Sequence, residues 1–279
     1  MPSLRYVVAD VFTDTALTGN QLAVFTDGRG VDDGTMQKLA RELNFSETVF
    51  VLPPDNGGHA RIRIFTPVTE LPFAGHPILG TAFVLGGPLQ LVEILLETGS
   101  GVIPVTLERE GARIVFGWMQ QPIPRMEPFA QAEELQELLG VRSRLPVEVY
   151  DLGPVFTYLE LESEDEVAGL TPDFVALGRL TDVGVNCFAG NGAHWKTRMF
   201  APVYGVAEDP ATGSAAGPLA VHLVRHGRIA PGEEIEISQG KEVGRPSTLY
   251  ARVAGTPERI ERVEVGGAAV LVARGEFQL

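Results

Sequence analysis

A histidine and an aspartate occupy the same place in two copies of one short pattern, His76-Pro77-Ile78-Leu79-Gly80-Thr81-Ala82 and Asp209-Pro210-Ala211-Thr212-Gly213-Ser214-Ala215. An imidazole and a carboxylate are suited to holding or moving a proton near neutral pH. A third candidate is Glu47, in Asn44-Phe45-Ser46-Glu47-Thr48, where a carboxylate enters an apolar strand. Partial loss of water there raises its affinity for a proton. Each also has a plain structural reading: Asp209 can begin a turn, His76 can pack ahead of a proline, and Glu47 can be a solvated strand edge. The duplication tips His76 and Asp209 toward chemistry.

The repeat is longer than the short pattern. Arg63-Ile64-Phe65-Thr66-Pro67-Val68 precedes the first copy and Arg198-Met199-Phe200-Ala201-Pro202-Val203 precedes the second, by nearly equal steps. A period of domain length excludes a solenoid or propeller and implies two related lobes. We place the first at residues 1–120, with the last strand, about 262–279, crossing back onto it, and the second at 128–261. The proline-rich segment Gln120 to Pro128 is read as a connection that does not continue a strand.

The elements that must position these residues follow from spacing. Leu4 to Phe12, Leu22 to Phe25, Glu47 to Leu52 and Ala60 to Phe65 read as strands, and Met36, Leu39, Ala40 and Leu43 fall on one face of a helix from Asp33, capped by Asp32 or Asp33. Pro77 to Leu85 carries no charge, opens on proline and runs into Gly86-Gly87, so it predicts a helix bounded by those residues and enclosed by protein. Its counterpart begins at Gly213 and runs to Gly227. Ala132 to Leu139 reads as a short acidic helix. Strands are expected at Glu148 to Leu152, Thr157 to Leu161, Val185 to Ala189, Arg198 to Phe200, Glu234 to Ile237, Ser247 to Ala254 and Arg262 to Arg274. The fold class expected is α+β: two pseudo-symmetric lobes, each a mostly antiparallel sheet wrapped around a central helix. If the lobes pack face to face, Gly75-His76 and Gly213-Ser214 confront one cleft, where helix N–H groups and the Ser214 hydroxyl can hold an anion.

Composition narrows the function classes. The chain has 279 residues, 44% of them hydrophobic, and a net charge of −14. That balance argues against nucleic acid and anionic membrane surfaces as partners. No segment has the length of a membrane span, and one cysteine, Cys187, forms no internal disulfide, so cytoplasm is expected. His222 and His226 are four apart, but Leu223 stands where a zinc-protease pattern needs Glu, and we expect no metal. Thr212 breaks a Gly-x-Ser-x-Gly elbow, and Trp195 breaks a dinucleotide fingerprint after Gly190-Asn191-Gly192.

Asn44-Phe45-Ser46-Glu47, Glu70-Leu71-Pro72-Phe73-Ala74-Gly75-His76-Pro77, Asn186-Cys187-Phe188-Ala189-Gly190 and Glu208-Asp209-Pro210-Ala211-Thr212-Gly213-Ser214-Ala215-Ala216-Gly217 together resemble the PhzF family of phenazine biosynthesis, a likeness extending over essentially the whole chain. The resemblance implies a diaminopimelate epimerase-like fold and a homodimeric isomerase without cofactor or metal. Its expected substrate is a small cyclic amino-hydroxy carboxylic acid, trans-2,3-dihydro-3-hydroxyanthranilate. It further implies Glu47 as the proton carrier, His76 and Asp209 as its polar partners, and Ser46, Gly75, Gly213, Ser214 and Asn20 as substrate-binding residues. Where many relatives have proline after the equivalent of Asn20, this chain has Gln21, which adds an N–H near that turn. Related racemases use two cysteines, and this chain has one. The alternatives are an isomerase or epimerase of another small carboxylate and a non-catalytic carboxylate binder.

Overall fold

The structure, a computed structural model, describes residues 3–279. The chain divides into two compact units, Met1–Gln120 with Gly266–Leu279, and Gln121–Val265.

The first unit opens with β1 (Ser3–Val11) and β2 (Asn20–Phe25), followed by α1 (Asp33–Leu43). Asp32 caps α1 by accepting from the Thr35 N–H; Met36, Leu39 and Ala40 are its buried face, and Asn44 ends it at φ 52°. Then come β3 (Glu47–Leu52), β4 (Ala60–Phe65), the two-residue β5 (Glu70–Leu71) and α2 (Gly75–Leu89). Three strands that the spacing does not announce follow: β6 (Glu93–Thr98), β7 (Gly101–Glu110) and β8 (Arg113–Gln121).

Helix α2 is the centre of this unit. Residues 75–84 are all buried, and the helix touches β1, β2, β3, β6 and β7. Its bounds correct the expected ones. The helix starts at Gly75, so Pro77 is its third residue, where a missing N–H costs nothing because the first turn has no intrahelical acceptors for its donors. At the other end Gly86 and Gly87 lie inside the helix, which stops at Gln90 with φ 53°. Gly86 is there for space: a Cβ would collide with the Leu107 side chain.

The second unit begins with β9 (Arg125–Pro128), where no strand was expected. It is a fully exposed edge strand whose Pro128 is the terminal residue, a placement that proline tolerates. Next are α3 (Ala132–Leu139), β10 (Glu148–Asp151), β11 (Val155–Glu160), α4 (Glu164–Gly169), α5 (Phe174–Leu180), β12 (Gly184–Asn191), β13 (His194–Ala201), β14 (Val206–Asp209) and α6 (Gly213–Arg225). The unit ends with β15 (Glu234–Gln239), β16 (Ser247–Gly255) and β17 (Ile260–Gly267). The segment expected as one strand from Arg262 is thus broken at Ala268, and β18 (Ala269–Gln278) pairs antiparallel with β1 as part of the first unit.

Strand senses repeat between the units. Antiparallel β18–β1 and β1–β2, parallel β2–β3, antiparallel β3–β4, parallel β4–β6 and antiparallel β6–β7 form one series. The series β9–β10, β10–β11, β11–β12, β12–β13, β13–β15 and β15–β16 has the same order of senses. In each, a fully or almost fully buried helix, α2 or α6, leads into the strand that makes the second parallel pair. The fold is α+β, as expected. Among the described residues no helix is long and apolar enough to cross a membrane.

Close approach between α2 and its sheet rests on Gly80, where a Cβ would lie 2.6 Å from Leu22 Cδ2 and 2.7 Å from Val11 Cγ2. Both neighbours are fully buried and Val11 is stiff at χ1, so neither can yield. We predict that Gly80→Ala lowers unfolding free energy by about 1–3 kcal/mol, measured by urea titration. An unchanged midpoint would refute this packing account.

Candidate active site

In the first unit the sheet and α2 bring together three of the residues singled out from sequence. β2 and β3 are parallel, with Leu22 opposite Glu47, so Asn20 and Glu47 stand at the starts of adjacent strands. His76, second in α2, meets both there. Its Nδ1 lies 3.3 Å from Asn20 Nδ2 and 3.4 Å from Glu47 Oε2. The His76 side chain is 3% exposed and that of Glu47 15%. Burial drops the His76 pKa to about 3, against a smaller opposing pull from the Gln21 backbone, so the ring is a neutral imidazole. It is therefore not the titrating partner that its type suggests. Gln21 itself lies in the β1–β2 ladder opposite Asp10.

The surrounding turns are tightly specified. Ser46 and Glu47 follow the left-handed Asn44 that ends α1. Between β1 and Asn20 the loop passes through positive φ at Phe12, Leu17 and Gly19. Buried Asp10 accepts the Leu17 N–H at 2.7 Å. Gly19 is obligatory, because a Cβ would sit 2.5 Å from the Val11 carbonyl oxygen and from the Thr13 side chain. Ala74 provides no side-chain cap for α2, and the Gly75 and His76 N–H groups have no intrahelical acceptor in its first turn, Pro77 having no N–H.

The second unit holds Asp209, Gly213 and Ser214. Asp209 ends β14 and is 8% exposed, and its Oδ2 accepts the Thr212 hydroxyl at 2.6 Å. Thr212 is the residue before α6, yet its hydroxyl is turned to Asp209 instead of capping, so α6 also starts without a side-chain cap. Gly213 and Ser214 open the helix, the latter 5% exposed. Two glutamines unsuspected from sequence hold this turn. Gln239 on β15 donates to the Asp209 carbonyl at 2.8 Å and the Thr212 hydroxyl at 3.0 Å, and accepts from the Thr212 N–H at 3.1 Å and the Thr197 hydroxyl at 3.3 Å. Every site on its amide is used. Gln121 donates to the Gly213 carbonyl at 2.7 Å. No motif could have exposed either, because the partners lie far off in sequence.

The one metal-like cluster among the described residues is Glu148, His222 and His226. Glu148 Oε2 accepts from Tyr150 OH at 2.9 Å and Arg225 Nη1 at 2.8 Å, meets His226 Nε2 at 2.9 Å and lies 3.4 Å from His222 Nδ1. The Arg225 guanidinium already brings a cation to this oxygen, and the donors on it make a hydrogen-bond hub anchoring the end of α6 to β10. Burial opposes ionisation of Glu148, but His222, His226, Tyr150 and Arg225 outweigh it and hold the carboxyl well below the usual range. Burial lowers the His222 pKa despite Glu148. Cys187 is fully buried, its thiol pushed up to about 12 mainly by desolvation, and so is poorly suited to acid–base work.

These groups give a pH dependence of stability. His76 stays unprotonated in the fold while the unfolded chain takes up a proton there below about pH 6.5, so stability is lost as pH falls through that value, and the lowered His222 pKa acts in the same direction. Glu148, depressed in the fold, adds a further loss below about pH 4.3. We predict a fall in unfolding free energy between pH 7 and 5 of up to about 1.4 kcal/mol per pH unit from His76. Urea titrations at the two pH values check it; equal stability would contradict neutral burial.

Comparison with known proteins places this geometry. A family model described as phenazine biosynthesis-like protein, PhzC-PhzF, matches residues 9–275. The chain is 52% identical over 276 residues to a trans-2,3-dihydro-3-hydroxyanthranilate isomerase of Pseudomonas aeruginosa and 49% identical to one of Pseudomonas fluorescens, with 99% of both chains covered in each case. A PhzF-family crystal structure from Bacillus anthracis superposes with a TM-score of 0.86 at 23% identity over 100% of both chains. A hydroxyproline epimerase from Agrobacterium vitis shares the fold, with a TM-score of 0.68 at 12% identity over 98% of this chain and 92% of that one. The chain belongs to the PhzC-PhzF family of phenazine biosynthesis-like proteins.

Proposed function

We propose that this protein is an isomerase of trans-2,3-dihydro-3-hydroxyanthranilate, in which Glu47 carries one proton between two ring carbons. The reaction is supported by the relatives that bear this name at about half identity along the whole chain. The residue assignment is supported above all by one observation: a largely buried carboxylate 3.4 Å from a buried, neutral imidazole. In the step proposed, ionised Glu47 takes the proton from C3 of the ring, and the resulting carboxyl returns a proton to C1. One acid serves both carbons when it is close to each and shielded from water. A neutral His76 adds no positive charge beside Glu47, so the carboxylate keeps its basicity.

Asp209 and His76 are proposed to hold the substrate's amino and hydroxyl groups. The N–H groups of Gly75, His76 and Gly213, with the Ser214 hydroxyl, would bind its carboxylate, a use suited to uncapped helix starts in a chain of net charge −14. Ser46 completes the proposed contacts, and Asn20, which the family resemblance also implies as a contact, lies against His76. No cofactor or metal takes part in this scheme. We also propose a cytoplasmic homodimer with a small carboxylate as its ligand; light scattering tests the dimer.

The decisive experiment is incubation with trans-2,3-dihydro-3-hydroxyanthranilate in D2O, followed by NMR. The wild type is expected to consume substrate with deuterium entering the ring, and Glu47→Gln to lose at least about 100-fold in kcat while still binding ligand. Equal turnover by the two proteins would end the assignment of Glu47. Absence of turnover by the wild type together with retained carboxylate binding would favour a non-catalytic binder. Chelator is expected to leave the rate unchanged, and a loss restored by zinc would return the metal reading.

A further inference from the structure

His76 is neutral and therefore carries a single ring N–H, so which nitrogen bears it decides what Glu47 faces. Nδ1 is the nitrogen within reach of two side chains, Asn20 Nδ2 at 3.3 Å and Glu47 Oε2 at 3.4 Å. An amide nitrogen has hydrogens to give and no lone pair to offer, so its approach requires the lone pair on Nδ1 and the proton on Nε2. Nε2 is buried and has no hydrogen-bond partner among the described residues. Asn20 is itself fixed: it is 1% exposed, pairs with Val11 in the β1–β2 ladder, and follows the obligatory Gly19.

We propose that Asn20 is a positioning residue that locks His76 in its Nε2–H tautomer and so presents a lone pair to Glu47. The inference rests on Glu47 being the proton carrier. A lone pair 3.4 Å from Oε2 repels the carboxylate and welcomes the carboxyl, whose O–H can donate to it. The protonated state of Glu47 that follows removal of the substrate proton is thereby stabilised, and the proton returns to carbon without passing to the ring. The opposite tautomer would put an N–H against the carboxylate, stabilise it before reaction and blunt its basicity. Asn20 thus acts through His76, and the role differs from the substrate contact that the family resemblance implies for it. The groups facing the His76 ring nitrogens are Asn20 from β2, Glu47 from β3 and the Gln21 backbone.

The test reads the tautomer directly. Long-range 1H–15N spectra of histidine-labelled protein, with His76 assigned from a His76→Asn variant, should show Nε2–H in the wild type. In Asn20→Leu, which removes the donor at similar volume, and in Asn20→Asp, which replaces it by an acceptor, the proton should move to Nδ1. In Asn20→Leu, kcat should fall about 10- to 100-fold with KM little changed, a share of the usual effect of a general base. Nδ1–H in the wild type, or Nε2–H persisting in both variants, overturns the tautomer lock. A tautomer that moves with no change in kcat overturns its link to Glu47. Should the wild type turn nothing over, the isomerase reading fails while the spectra still decide the lock.

Discussion

A helix with no Asp, Glu, Lys or Arg along its buried length has to be enclosed, and much of this architecture follows from enclosing two of them. Helix α2 is buried along residues 75–84 and α6 along residues 213–224. A flat sheet covers one face of a helix, so strands must come round to reach the others. In the first unit the chain brings its final strand back beside β1 to do so. Small residues set how near the strands come: Gly80 gives way to Val11 and Leu22, and Gly217 leaves no room for a Cβ beside Gln121. The same enclosure buries the helix starts, where N–H groups with no intrahelical acceptor gather beside His76 in one unit and Asp209 in the other.

Enclosure also governs the electrostatics. A net charge of −14 disfavours an anionic ligand at long range, and the groups suited to hold one are oriented N–H dipoles with no net charge. Desolvation keeps His76 neutral, so its contribution beside Glu47 is a directional lone pair or N–H, set by tautomer. Lys196–Glu242 and Arg198–Glu208 show the other way of burying charge, as close pairs at 2.6 and 2.7 Å, and Arg198 also donates to the Val167, Ala168 and Leu170 carbonyls. Those pairs hold strands and loops together; at His76 the fold instead buries a titratable group in its neutral form.

How much was legible in the sequence depended on the range of the interaction responsible. Asp33–Leu43, Glu47–Leu52, Ala60–Phe65 and Ala132–Leu139 have the bounds that local periodicity and capping predict, because their signals are internal to the segment. The limits of α2 were misread: Gly86 answers to Leu107 and Pro77 to the spare valence of a first turn, neither visible in the punctuation rule. Strand β9 was missed since prolines do not forbid an exposed edge. In the site, Glu47 and His76 could be named from motif and repeat. Asp10, Gln121 and Gln239 could not, since each acts on backbone groups brought near by the sheet.

The duplication explains how one scaffold came to present unlike chemistry. At the same point of the repeat one unit carries an imidazole and the other a carboxylate, and each is managed by an amide side chain from a neighbouring strand. The two amides work differently. Gln239 spends all four of its hydrogen bonds on backbone and hydroxyl groups of its own unit, which fixes the Asp209 turn as a rigid piece. Asn20 instead approaches the functional ring itself, and so influences the protonation pattern as well as the position.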